Sequence, residues 1–270
     1  MTRIYEGRRP APDSVIVENY TEDVELGVLK RGKEADVWLV ERHGADRSCL
    51  LAYKKYVRPE ARAFRNNAQY HAHQRNDGLV RDNGIKRRPA GGRADQLAMD
   101  KRTTYGKELL HKGWMANEWT MLRRLYEAGV NVPYPVEQRA EGVLMQYVGD
   151  ADYAAPRLAN ARVEGSQLPA LYEQLRENLR AMARAGVVHG DLSAYNVLLW
   201  QERIWIIDVP QAVPFLDNLS ATDFLHRDVT NIGEWFVRKG LEADPEDLFV
   251  DLLNVAFDYK MEDMFFSHGS

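Results

Sequence analysis

His189-Gly190-Asp191-Leu192-Ser193-Ala194-Tyr195-Asn196 is followed, after one short apolar hairpin pattern, by Ile207-Asp208. Asp191 can take a proton or hydrogen bond from an acceptor hydroxyl. Asn196, five residues on, offers an amide oxygen to a hard cation. Asp208 closes the apolar run Ile204-Trp205-Ile206-Ile207, where a carboxylate at a strand end suits a second hard-metal ligand. Phosphoryl transfer from a nucleotide asks little covalent chemistry of a protein. It needs the phosphates held, their charge neutralised by metal, and a hydroxyl aimed in line. The bland reading is an Asx-type turn made by Asp191 and Asn196. The ordered set with Asp208 favours the phosphoryl-transfer reading. His189 is expected to orient this loop through backbone contacts, not to act as the base.

Working outward, the upstream half supplies the remaining parts. Lys54, in Ala52-Tyr53-Lys54, stands where a strand lysine would reach the α- and β-phosphates. Lys55 points to the opposite face of the same strand and reads as solvated. Glu118, on the helical pattern from Trp114 to Ala128, is the expected partner of Lys54. Lys30-Arg31-Gly32-Lys33-Glu34-Ala35-Asp36-Val37 is the candidate nucleotide-covering loop. Gly32 would contribute backbone N–H and Lys33 a cation, though taken alone the string reads better as a hairpin with a solvated charged turn.

The rest of the chain organises around these motifs. Residues 1–20 read as a peripheral lead-in. Val24–Leu29, Ala35–Val40 and Leu50–Val57 read as strands, the first two joined by a tight turn at Gly32. Periodicity fails from Pro59 to about Lys112, where only short helices near 61–72 and 94–99 are expected. Trp114–Ala128 then forms a helix stopped by Gly129, and Val136–Ala140 with Val143–Val148 a second hairpin. A helix from about Gln167 to Ala185 precedes the strands Val197–Trp200 and Arg203–Ile207. Two more helices close the chain, one over Ala221–Lys239 and one opened by Asp244-Pro245-Glu246-Asp247. Strands come first and helices later. The expected architecture is α+β and bilobal: residues 21–149 form an N-lobe of antiparallel sheet plus one helix, with 59–112 as a basic flexible insertion. A mainly helical C-lobe spans 150–260, and 261–270 is a tail. A cleft between such lobes is a natural ligand site.

Composition bounds the function classes. The chain has 270 residues, 45% hydrophobic and 28% charged, with a net charge of −4. That balance alone suggests neither nucleic acid nor membrane. No apolar run approaches the roughly 20 residues needed to span a bilayer. Cys49 is the only cysteine, which excludes an intrachain disulfide and makes a cytoplasmic setting the simplest. The charge is uneven, however. Residues 61–112 hold twelve Lys/Arg against five Asp/Glu, a local +7.

Together these residues resemble the RIO family of atypical serine/threonine protein kinases over roughly 24–255. The similarity is carried by Gly32-Lys33-Glu34-Ala35-Asp36-Val37, Ala52-Tyr53-Lys54, Glu118-Trp119, and Val132-Pro133 with Pro135. It continues through Leu144-Met145-Gln146-Tyr147-Val148-Gly149, Val188 to Asn196, Ile207-Asp208-Val209, and Arg227-Asp228-Val229 with Asn231-Ile232. The resemblance implies a kinase fold reduced in its helical lobe, and no Asp-Phe-Gly or Ala-Pro-Glu string occurs. It implies ATP with Mg²⁺, or Mn²⁺ as an alternative, and adenine bound through backbone groups of Gln146 and Val148. It implies serine autophosphorylation or slow ATP hydrolysis, with Asp208 as a candidate phosphate acceptor. Two departures stand out. The family usually has small hydroxyl residues before the loop glycine, where this chain has Lys30-Arg31. Its common His-Ala-Asp is His189-Gly190-Asp191 here.

Two other classes compete. The His-Gly-Asp-x-x-x-x-Asn string also resembles small-molecule phosphotransferases such as aminoglycoside and choline kinases; the Gly32–Val37 loop and the Arg227–Ile232 string favour the RIO reading. The basic segment at 59–112 suits a nucleotide-gated factor that binds RNA or a ribonucleoprotein, although such a charge run is commonly a solvated loop. The expected partners are therefore ATP, an unidentified protein acceptor and, through 59–112, RNA, with no membrane association.

Overall fold

The computed structural model describes residues 3–32, 34–56, 104–215 and 218–266, with side chains described throughout these ranges except at 104–112 and 259–266. The expected short helices near 61–72 and 94–99, and Lys33, lie outside the described residues.

The N-terminal half is a six-stranded sheet in the order β1-β5-β6-β4-β3-β2. Its strands are β1 (Arg3–Ile4), β2 (Tyr20–Arg31), β3 (Ala35–Gly44), β4 (Ser48–Tyr56), β5 (Pro135–Arg139) and β6 (Gly142–Gln146). All of its neighbours pair antiparallel. β3 and β4 run in unbroken register from Ala35↔Tyr56 to His43↔Ser48, which sets Val37 beside Lys54. β2 is the outer edge. It is mostly exposed, carries Glu22, Glu25, Lys30 and Arg31, and shifts register three times against β3. Charges and bulges of this kind keep a free edge from pairing with another chain.

One helix, α1 (Thr104–Glu127), packs on this sheet. It begins about ten residues earlier than its apolar pattern indicates, so the end of the expected 59–112 insertion is helical. Gly129, at φ +83°, ends it: Val130 N–H reaches Leu125 O and Gly129 N–H reaches Tyr126 O, the two bonds of a Schellman cap.

The first residues are not peripheral. Arg3–Ile4 add a strand beside β5, and Tyr5, Val15 and Ile16 are buried. Tyr5, Tyr126 and Tyr134 meet edge to face with centroids 5.1–6.0 Å apart, and the Tyr5 hydroxyl bonds Glu127 at the end of α1. The lead-in therefore braces the helix that carries Glu118. Arg42 does similar work inside the sheet. It is 1% exposed, pairs both oxygens of Asp23 at 2.7 and 2.8 Å, reaches Glu137 at 3.1 Å and donates to Ile16 O. A buried guanidinium is tolerated because its donors find these acceptors.

The C-terminal half is helical. α2 (Leu168–Arg184), α3 (Ala221–Arg238) and α4 (Pro245–Phe266) pack with two short two-stranded sheets. One pairs β7 (Val187–Val188) with β10 (Val213–Pro214); the other pairs β8 (Val197–Trp200) with β9 (Arg203–Ile206). Gln201 and Glu202 both take positive φ, as a two-residue turn matched to strand twist requires. Asp244 opens α4 as expected, its carboxylate accepting Glu246 N–H at 2.9 Å. Most buried side chains of both halves form one continuous core, running from Val40 and Leu51 through Leu125 and Leu144 to Leu175, Ile204 and Phe236, with a small separate cluster of Ala35, Tyr56 and Trp114. Among the described residues no helix is long and apolar enough to cross a membrane.

Candidate active site

A cleft of about 510 Å³ opens between the sheet and the β8–β9 hairpin. Its apolar walls come from Val37 and Ala52 above, Met145 and Val148 at the back, and Leu198 and Ile207 below. The slot is of a size that holds a cofactor or nucleotide base. At its back Gln146 turns its side chain inward, Oε1 accepting Tyr134 N–H at 3.2 Å, while its own N–H reaches Tyr134 O. The Val148 carbonyl accepts Ala155 N–H at 3.0 Å, and the Val148 N–H has no partner among the described residues. Gly32, at the mouth, donates its N–H to Asp36 Oδ1 at 3.2 Å.

At the other end the Lys54 ammonium lies 2.6 Å from Glu118 and 2.6 Å from Asp208. Glu118 is buried and also accepts the Tyr56 hydroxyl. Desolvation alone would lower the pKa of Lys54; the carboxylates of Asp208 and Glu118 more than offset that and hold it above the ordinary lysine range. Burial likewise raises the Asp208 carboxyl, but the Lys54 charge and hydrogen bond overcome it and leave Asp208 below its usual range. Glu118 ends above its usual range because burial outweighs Lys54. Lys55 is not merely solvated: it pairs with Glu25 on β2 and sits over the Trp38 ring.

Asp208 itself takes φ +67°, a left-handed conformation uncommon for aspartate. The peptide before it is pinned on both sides. Ile207 N–H donates to Asn196 O at 3.0 Å, and the Ile207 carbonyl accepts from His189 Nε2 at 3.0 Å. His189 Nδ1 in turn accepts Asp191 N–H at 3.3 Å, which fixes the tautomer with hydrogen on Nε2. His189 thus orients the loop through backbone contacts.

Asp191 and Asn196 stand just outside the cleft lining. Asn196 is buried and donates Nδ2 to Asp191 O at 2.7 Å and to Asp191 Oδ2 at 3.3 Å. Its amide oxygen is left with no hydrogen-bond partner among the described residues. Asp191 is exposed, yet desolvation first and the nearby charge of Asp208 raise its carboxyl above the ordinary range, against the opposing charge of Arg227.

Three residues that support this site were not singled out for a role by the sequence. Asp228, on α3, accepts Gly190 N–H at 2.7 Å and Leu192 N–H at 2.9 Å, and Arg227 donates to Gly190 O. A carboxylate on the apolar face formed by Leu225, Val229 and Ile232 was the available signal. Asn117, on α1, donates to Pro210 O and Ala212 O and so ties the helix of Glu118 to the segment after Asp208. Nothing in its sequence context marks it.

The lysine–glutamate–aspartate contact, beside a pinned His-x-Asp loop and its asparagine, is the arrangement of a kinase-like phosphotransferase. A family model described as the RIO domain matches residues 85–248. The chain belongs to the RIO family. Similarity to curated RIO proteins agrees. The chain is 39% identical over 138 residues to the RIO-type serine/threonine-protein kinase Rio1 of Haloferax volcanii, covering 51% of this chain and 47% of that one. It is 34% identical over 164 residues to serine/threonine-protein kinase RIO1 of Chaetomium thermophilum, covering 57% and 31%. Against serine/threonine-protein kinase RIO3 of Caenorhabditis elegans it is 28% identical over 240 residues, covering 87% and 40%. The chain thus spans less than half the length of each of these three relatives. The matched span, 85–248, holds Glu118, Asp191, Asn196 and Asp208, while β1–β4 with Gly32 and Lys54 lie before it.

Proposed function

We propose that this chain is an ATP-dependent serine/threonine protein kinase of RIO type, with autophosphorylation or ATP hydrolysis as its readable activity. The observation that carries the reading is the contact of Lys54 with both Glu118 and Asp208 at the end of an apolar cleft. The nucleotide would lie between a sheet part, 21–149, and a helical part, 150–260. The adenine would occupy the slot between Ala52 and Leu198, with the unpartnered Val148 N–H as its hydrogen-bond donor and the Gln146 carbonyl as acceptor. Lys54 would hold the α- and β-phosphates, and Gly32 and Lys33 would cover them.

The oxygen donors of Asn196 and Asp208 suit a hard divalent cation, Mg²⁺ or alternatively Mn²⁺. The free amide oxygen of Asn196 and the partly exposed carboxylate of Asp208 are the fitting atoms. When bound, such a cation neutralises charge on the phosphates and on the leaving nucleotide. The acceptor hydroxyl would give its proton to Asp191 as its oxygen bonds to the γ-phosphorus and the bond to ADP breaks. Asp191, with its raised carboxyl, is suited to receive that proton. Asp208, next to the same phosphate, is a candidate to accept it covalently.

The test is incubation of the chain with γ-labelled ATP and Mg²⁺, with and without an added protein acceptor. Label should appear on serine, or as an alkali- and hydroxylamine-labile acyl phosphate on Asp208, and vanish in Asp191→Ala and Asp208→Ala with the fold retained. Lys54→Ala should chiefly weaken ATP binding. Wild-type transfer in Asp208→Ala would refute the metal assignment. Turnover of a small alcohol with no labelled protein would favour a small-molecule phosphotransferase.

A further inference from the structure

Lys30 and Arg157 approach the cleft from opposite sides. Lys30 lies on the edge strand β2, just before the loop glycine, at the place where RIO chains usually carry a small hydroxyl residue. Arg157 lies on the segment that follows Val148 and passes beside β8. Its backbone is bridged to Leu198, and its carbonyl accepts the N–H groups of Asn160 and Ala161. Both side chains line the cleft together with Lys54, Glu34 and Asp208. Neither Lys30 nor Arg157 has a salt bridge or side-chain hydrogen bond among the described residues.

Their charges are not independent. The Lys30 ammonium is held below the ordinary lysine range, by desolvation first and by the positive charge of Arg157 next, against the opposing charge of Asp208. Lys30, Arg157 and Lys54 therefore share one space with the carboxylate of Asp208, which among the described residues is directly paired only with Lys54, and a multivalent anion adds the counter-charge that one carboxylate cannot give to three cations. Lys54 cannot supply that anion's counter-charge alone, because Glu118 and Asp208 already occupy its ammonium. Glu34 adds a further carboxylate on the same wall. A triphosphate entering this end of the cleft needs cations that are not already held in a direct ion pair, and among the described residues Lys30 and Arg157 meet that need.

We infer that Lys30 and Arg157 form a cationic clamp that closes from both walls of the cleft on the β- and γ-phosphates of the nucleotide. The inference rests on the ATP-binding reading above. An ammonium gives a mobile point charge and a guanidinium a planar fork, and both suit phosphate oxygens.

The experiment is titration of the full chain with ATP and separately with AMP, in the presence of Mg²⁺, for wild type, Lys30→Ala, Arg157→Ala, Arg157→Gln and the double variant. Arg203→Ala is the control, being an exposed cation at the turn end of β9 that does not line the cleft. Loss of one charge-assisted contact should weaken ATP about tenfold in each single variant and more in the double. AMP, lacking the two outer phosphates, should hold within about twofold, as should ATP in Arg203→Ala. Equal losses for AMP and ATP, unchanged ATP affinity, or the same loss in Arg203→Ala would each overturn the clamp. Lys30 is exposed, so its variant decides the matter even where a change at Arg157 lowers the melting temperature. Wild-type chain that binds neither nucleotide would instead overturn the ATP reading itself, an outcome separable from the others.

Discussion

The Asp228 carboxylate holds the backbone N–H of Gly190 at 2.7 Å from 38 residues further along the chain, and its other oxygen holds Leu192 N–H at 2.9 Å. Asp191 is suspended between these two fixed amides. Its position is therefore set by α3, an element that contributes no side chain to the cleft lining.

Removing that carboxylate should damage both stability and transfer. Asp228→Ala strands two buried N–H groups, each costing about 1–3 kcal/mol. The expected result is a clearly lower melting temperature and loss of phosphotransfer. Asp228→Asn, which keeps one amide oxygen as acceptor, should lose less of both. A wild-type melting curve for Asp228→Ala would show that the clamp does not hold the loop.

The Lys54–Glu118 contact makes Lys54→Ala more than a binding mutation. It leaves a buried carboxylate without its cation, and breaking a buried pair in this way costs about 3–5 kcal/mol. Glu118 already sits above its ordinary range through burial, and losing Lys54 raises it further. A carboxyl raised in the fold contributes stability that is present at low pH and lost as pH rises through its folded value. The deficit of Lys54→Ala against wild type should therefore grow between pH 5 and pH 8, as read by denaturant midpoints. The Lys54→Ala, Glu118→Gln double variant should recover part of it. A deficit independent of pH would contradict the assignment.

The Arg42 network gives the opposite slope. Burial raises the Asp23 carboxyl, but hydrogen bonds from Arg42 and Arg139 more than offset it and hold it below the usual range. Its contribution is present above the ordinary carboxylate range and is lost as pH falls through the lowered folded value. Asp23→Asn should cost about 3–5 kcal/mol at pH 7 and converge on wild type in acid. Parallel stability profiles over the acid range would count against it.

Gly190 should resist substitution by alanine. Its φ is +79°, and a Cβ there would lie 2.5 Å from the Gln211 carbonyl oxygen. Gly190→Ala should lose about 1–3 kcal/mol through left-handed strain and displacement of that carbonyl. Urea unfolding measures this, and an alanine variant as stable as wild type would mean that the loop can adopt a different backbone.

Much of this protein was legible before folding. Local spacing carried Asp191, Asn196 and Asp208, because those residues lie on one loop and one hairpin whose geometry short-range sequence dictates. Apolar periodicity gave the three main helices of the second half to within a residue or two at the ends the structure describes, apart from the far end of α4. Gly129 and Asp244 acted as the stop and start signals they resemble. Lys54 and Glu118 were paired correctly through their order in a known family pattern, since nothing local joins two residues 64 positions apart.

The tertiary structure decided what depends on distant chain meeting distant chain. Thr104 starts a helix whose first turns carry no clear apolar stripe, and Arg3–Ile4 gain a strand only because β5 offers an edge. Asp228 looks like a misplaced charge on an apolar helix face until Gly190 and Leu192 arrive to share its oxygens. Lys30 and Arg157 are ordinary surface cations by sequence, 127 positions apart by their numbering. Only closure of the sheet over the β8–β9 hairpin brings both to one cleft, because a cation's function is set by the field around it and that field is assembled by the fold.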